Sequence, residues 1–148
     1  MSHEESATGP VFVVAHDKIG SGYCRGAQFT EYWSGSSYIL RDDSKSWAQI
    51  AAVPETTVVF VKQLPPARWK KPPGHLWVWD TVDILCEYTF SLLSQLSSLD
   101  VIIVPTEAAR LYFLNLGFTG PVRLLLHQWD PRLITATTTY QQIGRAHV

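Results

Sequence analysis

The stretch that most constrains this chain is Val11 to Gly26, VFVVAHDKIGSGYCRG. A β-branched, apolar run stops at His16 and Asp17, and Gly20-Ser21-Gly22 follows. An apolar run of this length that ends near glycines predicts a buried strand feeding a tight loop. Gly22 to Trp33 can then wind back as a helix. Together they predict the first βα unit of an open α/β sheet, in which ligands bind at the carboxyl edge, where strands end and loops begin.

The remainder keeps the same alternation. Ser37 to Arg41 is a short second strand. Asp42-Asp43-Ser44 offers helix caps, and Lys45 to Ala52 is a short helix closed by Val53-Pro54. Thr56 to Lys62, TTVVFVK, is the clearest strand signal, a continuous run suited to burial on both faces. Gln63 to Gly74 carries four prolines and cannot be regular. Loops of about a dozen residues in compact domains are usually functional or disordered. Leu76 to Trp79 is a fourth strand closing on Asp80. From Thr81, apolar residues such as Val82, Leu85, Cys86, Leu92 and Leu96 recur at helical spacing.

Val101 to Val104 is a fifth strand. Thr106 is a natural N-cap, Glu107 suits the helix dipole, and Gly117 is a left-handed C-cap after Leu116. Gly120-Pro121 turns the chain into a sixth strand, Val122 to Leu126, ending at His127. The expected fold class is α/β: a doubly wound, mostly parallel, Rossmann-like sheet of about six strands.

Residues 1–10 read as a flexible tail and 11–133 as one domain. Leu133 to Gln142 is threonine-rich without a clear period, so 134–148 reads as an irregular tail. Its last six residues, IGRAHV, look like a translated sequencing-library adapter, which would make the natural chain longer; a genuine short C-terminus is the alternative.

The 148 residues carry a formal net charge of −1, so electrostatics suggest neither a nucleic-acid partner nor an anionic membrane surface. Arg68, Lys70 and Lys71 read as a solvated loop. Cys24 and Cys86 have no metal-type spacing, and a reduced compartment is the default, with a single disulfide as the alternative. No signal peptide precedes Val11, and no apolar run approaches the ~20 residues of a membrane span. A soluble, cytoplasmic chain is expected.

Placed side by side, the strand ends supply the candidate site. The first gives His16, Asp17 and Gly20-Ser21-Gly22, with Arg25 in the helix behind them. The third gives Lys62, the fourth Asp80 with Asp83 a turn later, the fifth Thr106 and Glu107, and the sixth His127 and Asp130. Such a gathering is what a ligand crevice needs, and also what wet loops show. The dinucleotide fingerprint GxGxxG is absent, because Gly20, Gly22 and Gly26 have the wrong spacing and no acid ends the second strand. Walker A, HExxH and GxSxG patterns are absent too.

Asp80 and Asp83, in WDTVD, are the best candidates for taking a proton from a hydroxyl if burial raises a carboxyl pKa; capping the helix is the competing role. His16 and His127 suit a base or a hydrogen-bond donor to phosphate or sugar, or a purely structural role. Trp77, Trp79 and Trp129 offer stacking faces for carbohydrate, although core aromatics are commoner.

The glycine turn with its RG-helix, the VVFVK strand, WDTVD, the VIIVPTEAAR step and the closing LLLHQWDPR resemble the N-terminal Rossmann-like domain of GT-B-type glycosyltransferases. The resemblance spans roughly Val11 to Leu133 and rests on the order of elements and loose motifs. It implies two such domains facing across a cleft, the C-terminal one holding most of a nucleotide-sugar and the N-terminal one the acceptor. By resemblance, Gly20, Ser21 and Gly22 would lie near the sugar and diphosphate, and Asp80 or Asp83 near the acceptor. The substrate-binding set becomes Gly20, Ser21, Gly22, Arg25, Lys62, Thr106, Glu107 and His127, the catalytic set Asp80, Asp83 and His16. No cofactor or metal is implied. The donor-binding half is missing from this chain, so the fragment is expected to be inactive alone. The alternative is a non-catalytic α/β binding or interaction module.

Overall fold

In the computed structural model, residues 9–82 and 95–125 are described. Six strands, β1 (Val11–Val14), β2 (Ser37–Leu40), β3 (Thr57–Val61), β4 (Leu76–Asp80), β5 (Val101–Val104) and β6 (Val122–Leu124), form one sheet in the order β2-β1-β3-β4-β5-β6. Every pairing is parallel, with Val13 opposite Phe60, Phe60 opposite Trp79 and Trp79 opposite Ile102 in register. The expected Rossmann-like α/β fold is present.

Alternate side chains of a strand face opposite sides, and here both sides are apolar. Val13, Val58, Phe60, Trp77, Trp79, Ile102 and Val104 pack with Ile50 of α3 (Ser46–Ala51) and with Ala109 and Phe113 of α4 (Glu107–Asn115). Phe12, Val14, Val59, Val61 and Val78 pack on the other side, where Phe29 of α2 (Gln28–Tyr32) stacks on Phe12 at 5.6 Å. The right-handed crossover rule explains the division. The β1-to-β2 connection runs toward one edge of the sheet, and the later connections run toward the other, so their helices fall on opposite faces.

The first helix begins earlier than expected. Gly20-Ser21-Gly22 is not a loop ahead of it but its first turn, α1 (Gly20–Gly22). A π-turn (Tyr23–Ala27) carries α1 into α2 without a break, with Gln28 N–H donating to the Tyr23 carbonyl. Helix α3 is tied by local hydrogen bonds. Asp42 Oδ1 accepts from the N–H and hydroxyl of Ser44 at 3.0 and 2.6 Å, and Ser46 Oγ accepts the Asp42 N–H at 2.8 Å.

At the start of α4, Thr106 Oγ1 accepts the Ala109 N–H at 3.2 Å, as expected of an N-cap. The helix ends in a Schellman motif. Phe118 N–H reaches the Phe113 carbonyl at 3.2 Å and Gly117 N–H the Leu114 carbonyl at 3.1 Å, with Gly117 at φ +92°.

The proline-rich segment 63–74 is irregular, as its composition requires, yet it is a packed cover over the sheet. Trp69 is buried 6.3 Å from Phe60, with the Arg41 guanidinium 5.5 Å above its ring. Lys71 leaves the expected solvated cluster to pair with Asp100 at 2.7 Å, and Asp100 also accepts the Trp77 N–H at 2.8 Å. Burying Phe60, which sits 5.0 Å from Trp77, contributes about 2–3 kcal/mol by area alone.

Candidate functional site

Strand β1 lies between β2 and β3, so the chain leaves it in one direction and returns on its other side. At such a switch point the loops from two neighbouring strands diverge and open a crevice at the carboxyl edge. The crevice is there. It has a volume of about 290 Å³ and is lined by Ala15, His16, Ile19, Gly20, Ser21 and Gly22 on the β1 side and by Val61, Lys62 and Gln63 on the β3 side.

Each glycine on the β1 side has its own reason. Gly20 sits at φ +62°, the left-handed region that starts the helix sharply, with open space where a Cβ would stand. At Gly22 a Cβ would stand 1.9 Å from the His16 carbonyl oxygen, and at Gly26 it would stand 2.2 Å from Val14 Cγ1. Gly22 and Gly26 therefore let the helix lie directly on β1. The third glycine of the dinucleotide fingerprint has that same task. Here the spacing from Gly22 to Gly26 is one residue longer, and a π-turn takes up one residue more than an α-turn. The π-turn at Tyr23–Ala27 restores the facing that the spacing alone denies. Ile19 precedes the helix in extended conformation and no side chain caps the first turn. Helix-start amides are the groups that hold anions.

The β3 wall is a strained turn. Lys62 has φ +66°, and Gln63 N–H donates back to the Val61 carbonyl at 2.8 Å, closing a rare three-residue γ-turn. This is why β3 ends at Val61, one residue short of the expected strand. The Lys62 N–H donates to the Asp80 carbonyl at 2.8 Å, and the Trp79 indole Nε1–H donates to the Lys62 carbonyl at 3.0 Å. Arg41 completes the arrangement. Its backbone N–H donates to Val14 of β1 at 2.8 Å, and its Nη1 donates to the carbonyls of Gln63 and Leu64 at 3.2 and 2.7 Å. Beside the crevice, the Tyr38 hydroxyl donates to Asp17 Oδ2 at 3.0 Å; that bond and the carboxylate charge push the phenol above its usual range.

Of the candidate residues, the structure brings His16, Gly20, Ser21, Gly22 and Lys62 together in the crevice. It places Asp80 and Arg25 elsewhere. Asp80 points from β4 to the face carrying α2, where its Oδ2 lies 3.5 Å from Arg25 Nε and its Oδ1 accepts the Val82 N–H at 3.2 Å. Arg25 Nη2 donates to the Leu125 carbonyl at 3.0 Å. Both side chains line a separate cavity of about 540 Å³, whose other walls are mainly apolar: Phe12, Phe29, Trp33, Val59, Val78 and Ile103.

Thr106 and Glu107 do not line the crevice either. Thr106 is spent on its cap, and Glu107 grips Arg110 Nε through both oxygens, at 2.8 and 2.9 Å, with a further contact to Nη2. That bond to Arg110 holds the Glu107 carboxyl below its usual range. Trp77 and Trp79 are wholly buried in the core rather than offered as stacking faces. Asp83, His127, Trp129 and Asp130 lie outside the described residues.

Gln63 and Arg41 were not singled out from the sequence. Gln63 follows the strand end directly and was legible in principle. Arg41 reaches the crevice wall only through the fold. Among the described residues no group of three or more His, Cys, Asp or Glu is placed to hold a metal ion, and no helix is long and apolar enough to cross a membrane. No protein-family model, no curated protein and no solved structure matches the chain.

Proposed function

We propose that this chain is the acceptor-side domain of a glycosyltransferase that moves a sugar from a nucleotide-sugar donor to an acceptor hydroxyl. One observation carries the reading. A glycine-built helix start and Lys62 face each other across a crevice at the switch point of a parallel sheet. Helix-start amides and an ammonium are complementary to a diphosphate, and they strengthen as negative charge gathers on it during departure.

In this reading His16 takes the proton of the acceptor hydroxyl. The acceptor oxygen bonds to the anomeric carbon, the bond from that carbon to the diphosphate oxygen breaks, and the electron pair leaves with the diphosphate. Lys62 and the amides of Gly20 and Ser21 stabilise that leaving group. Asp80, engaged with Arg25, is a positioning group of the sheet face. The nucleoside is assigned to a second domain, so the 148 residues bind the phosphate-bearing part weakly and transfer nothing alone.

The test is a magnetic-resonance titration of the isotope-labelled chain with inorganic pyrophosphate and with a nucleotide-sugar. The expected result is a set of shifts at Gly20, Ser21, Gly22, Lys62 and Gln63 that Lys62→Ala weakens. Absence of shifts at these positions at millimolar ligand overturns the reading. A second reading, a non-catalytic small-molecule binding module, is favoured by the apolar cavity beside Arg25 and Asp80, whose size is that of ordinary ligand sites. It predicts that apolar ligands shift Phe29, Val78 and Ile103 while pyrophosphate shifts nothing.

A further inference from the structure

We propose that Arg41 and Trp79, neither of which lines the crevice, are its positioning residues: they hold the strained Lys62 turn and so set Lys62 opposite the glycine helix start. The inference rests on the reading of the crevice as a site for a phosphate-bearing ligand.

A non-glycine residue at φ +66° is strained and persists only where its surroundings over-determine it. Here they do. The Lys62 N–H is held by the Asp80 carbonyl, the Lys62 carbonyl by the Trp79 indole, and the two carbonyls that follow by one Arg41 nitrogen. Arg41 has a second attachment, through its backbone N–H, to Val14 at the end of β1. One residue therefore ties together the two strands whose loops form the two walls.

Its guanidinium is itself held. Nε donates to Asp43 Oδ1 at 2.7 Å, and the plane lies over the buried Trp69 ring. A lysine in its place keeps the charge but not the rigid plane that holds Nε on Asp43 and Nη1 on the two carbonyls at once. Trp79 is wholly buried and stacks edge-on to Phe113 at 5.5 Å, so its indole N–H cannot wander from the Lys62 carbonyl.

The experiment compares the full chain with Arg41→Lys, Lys62→Ala and the double variant, using inorganic pyrophosphate as the probe and amide hydrogen exchange at Gln63 as a ligand-free readout. Two results are expected. Arg41→Lys weakens pyrophosphate binding about tenfold and speeds Gln63 exchange by a similar factor, with little change in melting temperature. The double variant then binds no worse than Lys62→Ala alone, because Arg41 acts through Lys62.

Losses that multiply in the double variant, or unchanged Gln63 exchange in Arg41→Lys, overturn the proposal. If the unaltered chain fails to bind pyrophosphate, the phosphate reading falls, and the exchange comparison by itself still decides for or against the clamp. Should Arg41→Lys fail to fold, Trp79→Phe carries the same comparison, since it removes the indole donor and keeps an aromatic ring in the core.

Discussion

The Nε of Arg25 lies 3.5 Å from Oδ2 of Asp80 on the face of the sheet that carries α2, with side-chain exposures of 2% and 3%. Two charges at that depth have given up their hydration, and each depends on the other and on its hydrogen bonds for compensation. Arg25 leans on the Leu125 carbonyl and Asp80 on the Val82 N–H. Asp80→Asn removes the negative charge beside the buried guanidinium and should cost roughly 3–5 kcal/mol. Replacing the pair together, Arg25→Met with Asp80→Leu, should cost less than either single change. Urea unfolding of Asp80→Asn, the two single replacements and the double variant checks both statements, and additive losses would show that the pair is not coupled.

The three glycines of the first helix should differ sharply. Gly22→Ala drives a Cβ into the His16 backbone carbonyl, which cannot move without displacing β1. Gly26→Ala clashes with the Val14 side chain rather than with backbone and should cost about 1–3 kcal/mol as overpacking. Gly20→Ala meets nothing and bears only the left-handed backbone, about 1–2 kcal/mol. Thermal melts of the three variants should rank the loss Gly22 greatest and Gly20 least.

Thr81 is wholly buried, and its hydroxyl has no hydrogen-bond partner among the described residues. A buried polar group left unsatisfied costs on the order of 1–3 kcal/mol, and valine has nearly the same shape without it. Thr81→Val should therefore stabilise the fold by about 1 kcal/mol, raising the melting temperature by about 2–4 °C. A scanning melt in which the variant unfolds no later than the unaltered chain would refute this.

Hydrogen bonds from the Ser44 hydroxyl, and then from its backbone N–H, hold the Asp42 carboxyl below its usual range. A carboxyl with a lowered folded-state pKa stabilises the fold fully above its unfolded value and loses that contribution as the pH falls through the folded value. Ser44→Ala removes the main cause, so it should lower stability at neutral pH and make the acid-side loss shallower. Urea midpoints for both chains between about pH 7 and pH 2 check the sign. Converging curves at low pH are the expected pattern, and parallel ones would exclude Asp42 as the source.

Much of the fold was legible because strands and caps are local. β-branched runs such as VFVV and TVVFV have one buried use in a chain of this size, and Thr106 and Gly117 mark their helix ends by backbone chemistry alone. The crevice was half legible. His16, the glycines and Lys62 sit at strand ends, where a parallel sheet must open. The facing of Gly26 was not legible from its spacing, because the π-turn that sets it depends on how the helix lies against Val14.

By itself, the sequence determined the class of fold and the residues at each strand end, since periodicity and capping act over a few neighbours. The tertiary structure alone decided which ends meet. Setting β1 beside β3 put Lys62 opposite Gly20 and carried Asp80 away to Arg25. It also brought Arg41 onto the carbonyls beyond β3. Those pairings join groups far apart in the chain, and only the packing of the whole sheet selects them, because no local preference distinguishes one distant carbonyl or carboxylate from another.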